Sequence, residues 1–223
     1  MLRELHFRPD ETQAALALVE RELERVPNQL IPRQVFLFSG HRVDTPTRPE
    51  PRFPPERAAL AGQRIAEALD QLGAAPGNLA LCQAAAGGDL LFLEACVRRG
   101  LRCQILLPFA EPEFVERSIL PSSEGERWRE RYYAVTSQIK DPPRIMAVEL
   151  GDAPKDSDAY VRCNLWLLYT ALAFGIDKLR FLCLWNGGSS DGRGGTSHMY
   201  EEVKRRTGRV TRIDPADLTA RLD

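Results

Sequence analysis

The stretch DKLRFLCLWNGGSSDGRGGTSHMYEE, Asp177 to Glu202, constrains this chain more than any other. It opens as an apolar strand, Leu179 to Trp185, and breaks into a loop holding Gly187, Gly188, Gly192, Gly194 and Gly195. A polar helix is expected from about Thr196. A strand feeding a glycine-rich turn into a helix N-terminus is how α/β proteins hold phosphate, because backbone N–H groups point outward and the helix dipole favours an anion. A lone turn of this kind also serves simply to change direction. Here the arrangement recurs. Gln34 to Ser39 (QVFLFS) runs into Ser39-Gly40-His41-Arg42, and Asn78 to Ala84 (NLALCQA) runs into Ala85-Ala86-Gly87-Gly88-Asp89.

Continuous apolar runs of strand length mark strands buried on both faces. The third such run is Leu101 to Pro108, so residues 78–108 make one strand–helix–strand unit of the usual size, with Gly100 capping its helix. Between the first two strands, Thr45 to Pro55 holds five prolines, too rigid and donor-poor for a helix or central strand. Its place after a strand's C-terminal end suggests a loop acting as a lid over a binding crevice. Pro55 suits the first turn of a helix to about Leu72. Residues 110–140, with Trp128, Tyr132 and Tyr133, read as two exposed helices or a helical insertion packed by its own aromatics. Arg144 to Leu150 reads as a strand. Ser157 or Asp158 can cap a deeply packed helix from Ala159 to about Phe174, in which Trp166 is core. Val210 to Ile213 adds a short last strand, and Pro215 to Leu222 a final helical turn or two. Strands alternating with helices, with glycine turns at strand C-termini, predict a doubly wound, mostly parallel α/β sheet with helices on both faces, a three-layer sandwich. Its ligand crevice lies where the loops converge.

Residues 1–33 read as an N-terminal helical appendage, with Ala14 to Val26 at helical spacing, and 34–223 as the ligand-binding domain. The appendage packs on the core or on something outside it, a second copy or a neighbouring module, and whether a longer chain precedes it is open. A formal net charge of −1 gives no electrostatic case for a nucleic-acid backbone or an acidic membrane surface as partner. No apolar run approaches the roughly 20 residues that span a bilayer, so a cytoplasmic location is expected. Cys82, Cys96, Cys103, Cys163 and Cys183 sit in apolar surroundings without a CxxC pair, as small buried hydrophobes do in a reducing compartment. With three histidines, none spaced with another ligand, no metal centre is expected.

Four motifs in this order, SGHR (Ser39–Arg42), GGD (Gly87–Asp89), YVRCNLW (Tyr160–Trp166) and WNGG followed by GGT (Gly194–Thr196), resemble the SLOG superfamily. That Rossmann-like group contains DprA, the LOG phosphoribohydrolases and the cytosolic domain of TRP melastatin channels. The likeness covers roughly residues 34–208 and is strongest to small bacterial branches with a TGHR or TGSR turn. It implies a nucleotide or nucleotide-derived ligand at the strand C-termini, no further cofactor, and in several members fusion to an effector module. In the phosphoribohydrolase branch the last helix begins GGxGTxxE and its glutamate takes part in cleaving an N-glycosidic bond. Here Met199 stands three residues after Thr196, and a helix turns ~100° per residue, so neither Glu201 nor Glu202 replaces it.

The candidate ligand residues are therefore Ser39, Gly40, His41, Arg42, Gly87, Gly88, Asp89, Arg162, Asn164, Gly194, Gly195 and Thr196. Each has a plainer reading. The glycines can make tight turns, Thr196 can be an N-cap, Arg42 can pair with Asp44, and Arg162 and Asn164 can brace loops. Asp89 is favoured by the helix dipole whatever its role. Three functions stay open: a sensor domain for a nucleotide-derived small molecule that signals to a fused or associated effector, an N-glycoside hydrolase using Asp89, Glu94 or Glu201, and an interaction domain without ligand.

Overall fold

The computed structural model describes residues 31–151, 157–188 and 194–218. The described residues from Arg33 onward belong to one compact unit; the helix expected within residues 1–30, like Gly192 of the last glycine loop, lies outside the described residues. Six parallel strands make one sheet in the order β4-β3-β2-β1-β5-β6: β1 (Val35–Gly40), β2 (Leu79–Cys82), β3 (Arg102–Leu107), β4 (Arg144–Ile145), β5 (Leu179–Leu184) and β6 (Thr211–Ile213). Among the described residues there are seven α-helices: α1 (Ala58–Gln71), α2 (Gly88–Arg98), α3 (Glu111–Ser118), α4 (Gly125–Thr136), α5 (Met146–Leu150), α6 (Ala159–Leu172) and α7 (Thr196–Thr207). No described helix is long and apolar enough to cross a membrane.

The central strands are apolar throughout because both faces are covered. Phe36, Phe38, Ala80, Cys82, Leu182 and Leu184 pack into one core with α1, α2, α3 and α4. Their alternates Val35, Leu37, Leu79, Leu81, Phe181 and Cys183 pack into a second core with α6 and α7. Period-two alternation of the side chains thus divides one sheet between two hydrophobic layers. Phe38 stacks on Phe92 of α2 with centroids 4.6 Å apart, fixing α2 against the middle of the sheet.

The described strands start in the middle of the sheet at β1, run outward to the β4 edge, and return through α6 to lay β5 on the free side of β1. The strand order therefore reverses between β1 and β5, which pair in full register from Val35 opposite Leu179 to Gly40 opposite Leu184. In sheets of this type the crevice outside the strand C-termini at such a reversal is where ligands sit. The fold is the three-layer, Rossmann-like α/β architecture read from the sequence.

Three local expectations change. Arg144–Leu150 is a strand for only two residues, and Met146–Leu150 turns into a short helix with Met146 buried. A strand at the sheet edge has one neighbour, so little holds the extended form. The helices in 110–140 are exposed on one face only: Phe114, Trp128 and Tyr132 join the first core while Tyr133 stays exposed. The proline-rich stretch is pinned at both ends by Asp44. Its Oδ2 accepts the N–H groups of Arg52 (2.8 Å) and Phe53 (2.9 Å), its own N–H donates to the Phe53 carbonyl (3.0 Å), and Phe53 is fully buried.

Candidate functional site

A cavity of about 480 Å³ opens over the C-terminal ends of β1 and β2 and the N-termini of α6 and α7. Such a volume lies in the range of small-molecule sites, roughly 300–1,000 Å³. Of the residues singled out in the sequence, Ser39, Gly40, His41, Arg42, Asp89, Asn164, Gly194, Gly195 and Thr196 line it. Segments 39–42, 89, 164 and 194–196 are brought together by the strand reversal. Gly87, Gly88 and Arg162 do not line it.

The two glycines outside the lining serve loop packing. Gly87 sits at φ 103°, and a Cβ there would come within 2.7 Å of Val43 N and 2.9 Å of the His41 carbonyl. Arg42 and Gly87 pair as an isolated antiparallel bridge. The Gly88 N–H donates to the His41 carbonyl at 3.1 Å, so this turn spends that donor on the neighbouring loop. Arg162 donates to the carbonyls of Leu150 (2.9 Å) and Gly151 (3.0 Å), closing the end of α5.

Within the cavity, Ser39 Oγ meets Thr196 Oγ1 at 3.4 Å, joining the end of β1 to the start of α7. No side chain caps α7, whose Ncap is Gly195, so the positive end of its dipole borders the cavity. Asn164, buried in α6, braces that corner: its Nδ2 donates to the Gly194 carbonyl and its Oδ1 accepts from Gln83 Nε2, both at 2.8 Å. Its Nδ2 also lies 3.5 Å from His198 Nδ1. Asp158 caps α6, its Oδ1 accepting the N–H groups of Tyr160 (2.8 Å) and Val161 (3.1 Å).

His41 is a buried brace. Its Nε2 lies 3.0 Å from Asn186 Oδ1 and 3.3 Å from Asn186 N, so one tautomer donates to the amide oxygen and the other accepts the backbone N–H. Burial lowers its pKa below the ordinary 6.5, against the opposing hydrogen bond to Asn186. Arg42 does not pair with Asp44; its Nη1 donates to the Arg117 carbonyl at 2.7 Å.

Asp89 is the carboxylate of the cavity. Its Oδ1 accepts the Gly40 N–H and its Oδ2 the Ala85 N–H, each at 3.2 Å, so it ties the turns after β1 and β2 together. Burial pushes its pKa from 3.8 to about 7, with the backbone N–H groups holding it lower than burial alone would. Glu94 is engaged elsewhere in a bidentate pair with Arg131, at 2.8 and 2.7 Å. Glu201 is an exposed residue of α7 outside the lining. Met199 is fully buried in the second core. Among the described residues, no three His, Cys, Asp or Glu side chains gather as a metal site.

Six further polar residues line it that were not singled out as ligand residues: Arg52, Gln83, Arg117, Ser118, Asp158 and Tyr160. Arg52 had a signal, since it lies in the proline-rich loop expected over the crevice. Tyr160 had one too, two residues after a helix cap. Arg117 and Ser118 end a helix from the far side of the sheet order, and nothing local marks them.

Fold and crevice together define a Rossmann-like parallel α/β domain with a ligand-sized cavity at its strand reversal. No family model matches the chain, and no curated protein matches it. Among solved structures, the Moco carrier protein from Chlamydomonas reinhardtii is similar at 13% identity and a TM-score of 0.33, over 82% of this chain and 91% of that one. SuiB from Streptococcus suis bound to S-adenosylmethionine is similar at 13% identity and a TM-score of 0.20, over 95% of this chain and 54% of SuiB, so the match spans about half of that protein. Likenesses this distant carry no argument about the ligand.

Proposed function

We propose that this chain is a binding domain of the SLOG type, and that its crevice captures a phosphate-bearing, nucleotide-derived small molecule and passes the binding event to a fused or associated effector. The observation that carries the reading is the meeting of an uncapped helix N-terminus with two hydroxyls in one cavity at the strand reversal. The start of α7 and the Thr196 hydroxyl, which accepts from Ser39 and keeps its own proton, supply donors suited to a phosphate. Arg42 adds positive potential from the same loop. Asn164 and Asp89, each tying two loops, hold the donors in place before a ligand arrives.

A second reading, hydrolysis of an N-glycosidic bond, is favoured by one residue. Asp89 lies in the cavity with a pKa of about 7, in the range useful to a general acid or base. Both its oxygens already accept backbone N–H groups, which suits a structural tie more than a nucleophile.

A thermal-shift screen tests both readings, using AMP, ADP, ADP-ribose, NAD and cyclic mono- and dinucleotides, with chromatography of each mixture afterwards. A ligand at a hundred times its dissociation constant stabilises by about 2.7 kcal/mol, a shift of several degrees. The sensor reading expects the ligand recovered intact and the shift abolished in Gly195→Val, which fills the helix start. A released base, lost in Asp89→Asn, transfers the case to the hydrolase. No shift with any nucleotide removes both.

A further inference from the structure

The crevice has a second positive corner, and one side chain measures its distance from the first. At its Cβ end Tyr160 abuts the approach to α7: a Cβ on Gly194 would overlap Tyr160 Cβ and come within 2.5 Å of Val161 N. At its other end the Tyr160 hydroxyl lies 2.9 Å from Ser118 Oγ. Ser118 is the last residue of α3 and follows Arg117 directly. Gly194, two residues before α7, and Ser118, next to Arg117, thus lie at opposite ends of one tyrosine side chain, and all of them line one cavity.

The second corner is built rather than incidental. The Arg117 guanidinium lies over the Phe109 ring at 4.7 Å, and Phe109 packs edge-on against Tyr160 at 5.4 Å. Arg42 reaches the same place through its 2.7 Å hydrogen bond to the Arg117 carbonyl. Both arginines line the cavity, and an anion held there gains from both charges. The acidic groups nearby compete weakly. Glu113 pairs with Arg117 at 2.9 Å on the surface, with the side chains 44% and 57% exposed, while Asp158 spends Oδ1 on two backbone N–H groups. The Ser118 and Tyr160 hydroxyls share one hydrogen bond between them, so the pair keeps a second O–H proton to donate.

We infer that the ligand carries two anionic groups held apart by a spacer the size of a ribose ring, one at the start of α7 and the other between Arg42 and Arg117. The inference rests on the phosphate-capture reading above and names its ligand class: a nucleoside bisphosphate, or a dinucleotide with equally separated phosphates. A nucleoside monophosphate fills one corner. A nucleoside diphosphate keeps both phosphates at one end and also leaves a corner empty.

Isothermal titration of the full chain at low ionic strength, with AMP, ADP and adenosine 3′,5′-bisphosphate, decides it. The bisphosphate is expected to bind about tenfold tighter than AMP or ADP. Arg117→Gln should reduce the bisphosphate to the AMP level while leaving AMP unchanged, and Arg117→Lys should keep part of the preference. Equal affinity for AMP and the bisphosphate overturns the inference and leaves the phosphate site standing, as does a uniform loss across all three in Arg117→Gln. Silence with all three removes the phosphate site and the inference together. The comparison in the unmodified protein needs no variant, so a folding defect in Arg117→Gln cannot mask the answer.

Discussion

Asp89→Asn isolates the balance of forces at the centre of the crevice. In the folded chain the carboxyl is buried with both oxygens on backbone N–H groups, and burial wins, lifting its pKa from 3.8 to about 7. The folded state therefore holds a proton that the unfolded chain has released throughout the interval between these values. Stability from this group is fully present below pH 3.8 and is lost as pH rises through about 7. Between about pH 5 and pH 8 the loss amounts to ~3 kcal/mol. The asparagine variant has no such loss. It turns an NH₂ group toward one of the two backbone donors, which costs about 1–3 kcal/mol at every pH. Denaturant midpoints of both proteins across this pH range read the difference directly, with all other titrations common to the two. The wild type should lead at the acidic end and its lead should vanish or reverse at the alkaline end. A wild-type lead that grows with pH would refute the reasoning, because it would mean that the two N–H groups outweigh burial and hold the carboxylate ionised.

Two further outcomes follow from the same packing. Gly87→Ala puts a Cβ against Val43 N and the His41 carbonyl at a φ of 103°, and since backbone atoms cannot swing aside it should cost about 2–4 kcal/mol in thermal or chemical unfolding. Gly73→Ala, at φ 72° with nothing within 4 Å, is its control and should cost only about 1 kcal/mol. All five cysteines are buried and free, and burial pushes the thiols of Cys103 and Cys183 up to about 12 and the others up as well. Alkylation at neutral pH should leave the native chain untouched and label it once denatured; rapid labelling of even one cysteine would contradict the packing of the strands that carry them.

The class of fold is written in the sequence, because that information is local. Apolar runs such as Val35–Phe38 and Leu79–Cys82 have the length and composition of strands buried on both faces, and the glycine turn after the second leads straight into a helix, the pattern of a parallel sheet. The cap at Asp158, too, was legible from residue type and position. What it could not determine was anything that depends on which loops meet. Gly87 and Gly88 look like Gly194 and Gly195 in one dimension. Only the sheet order shows that the first pair presses on the Ser39–Val43 turn while the second borders the cavity. Arg162 and Asn164, two residues apart on one helix, point to different neighbours, since successive helical positions diverge by ~100°. Arg117, Ser118 and Arg42 become one corner through a single hydrogen bond across 75 residues of chain. The edge segment Arg144–Leu150 divides into strand and helix because of the one strand beside it. Periodicity encodes which face of an element is buried. The identity of the neighbour on that face is a property of the assembled sheet, and it is there that this crevice acquires its shape and charge.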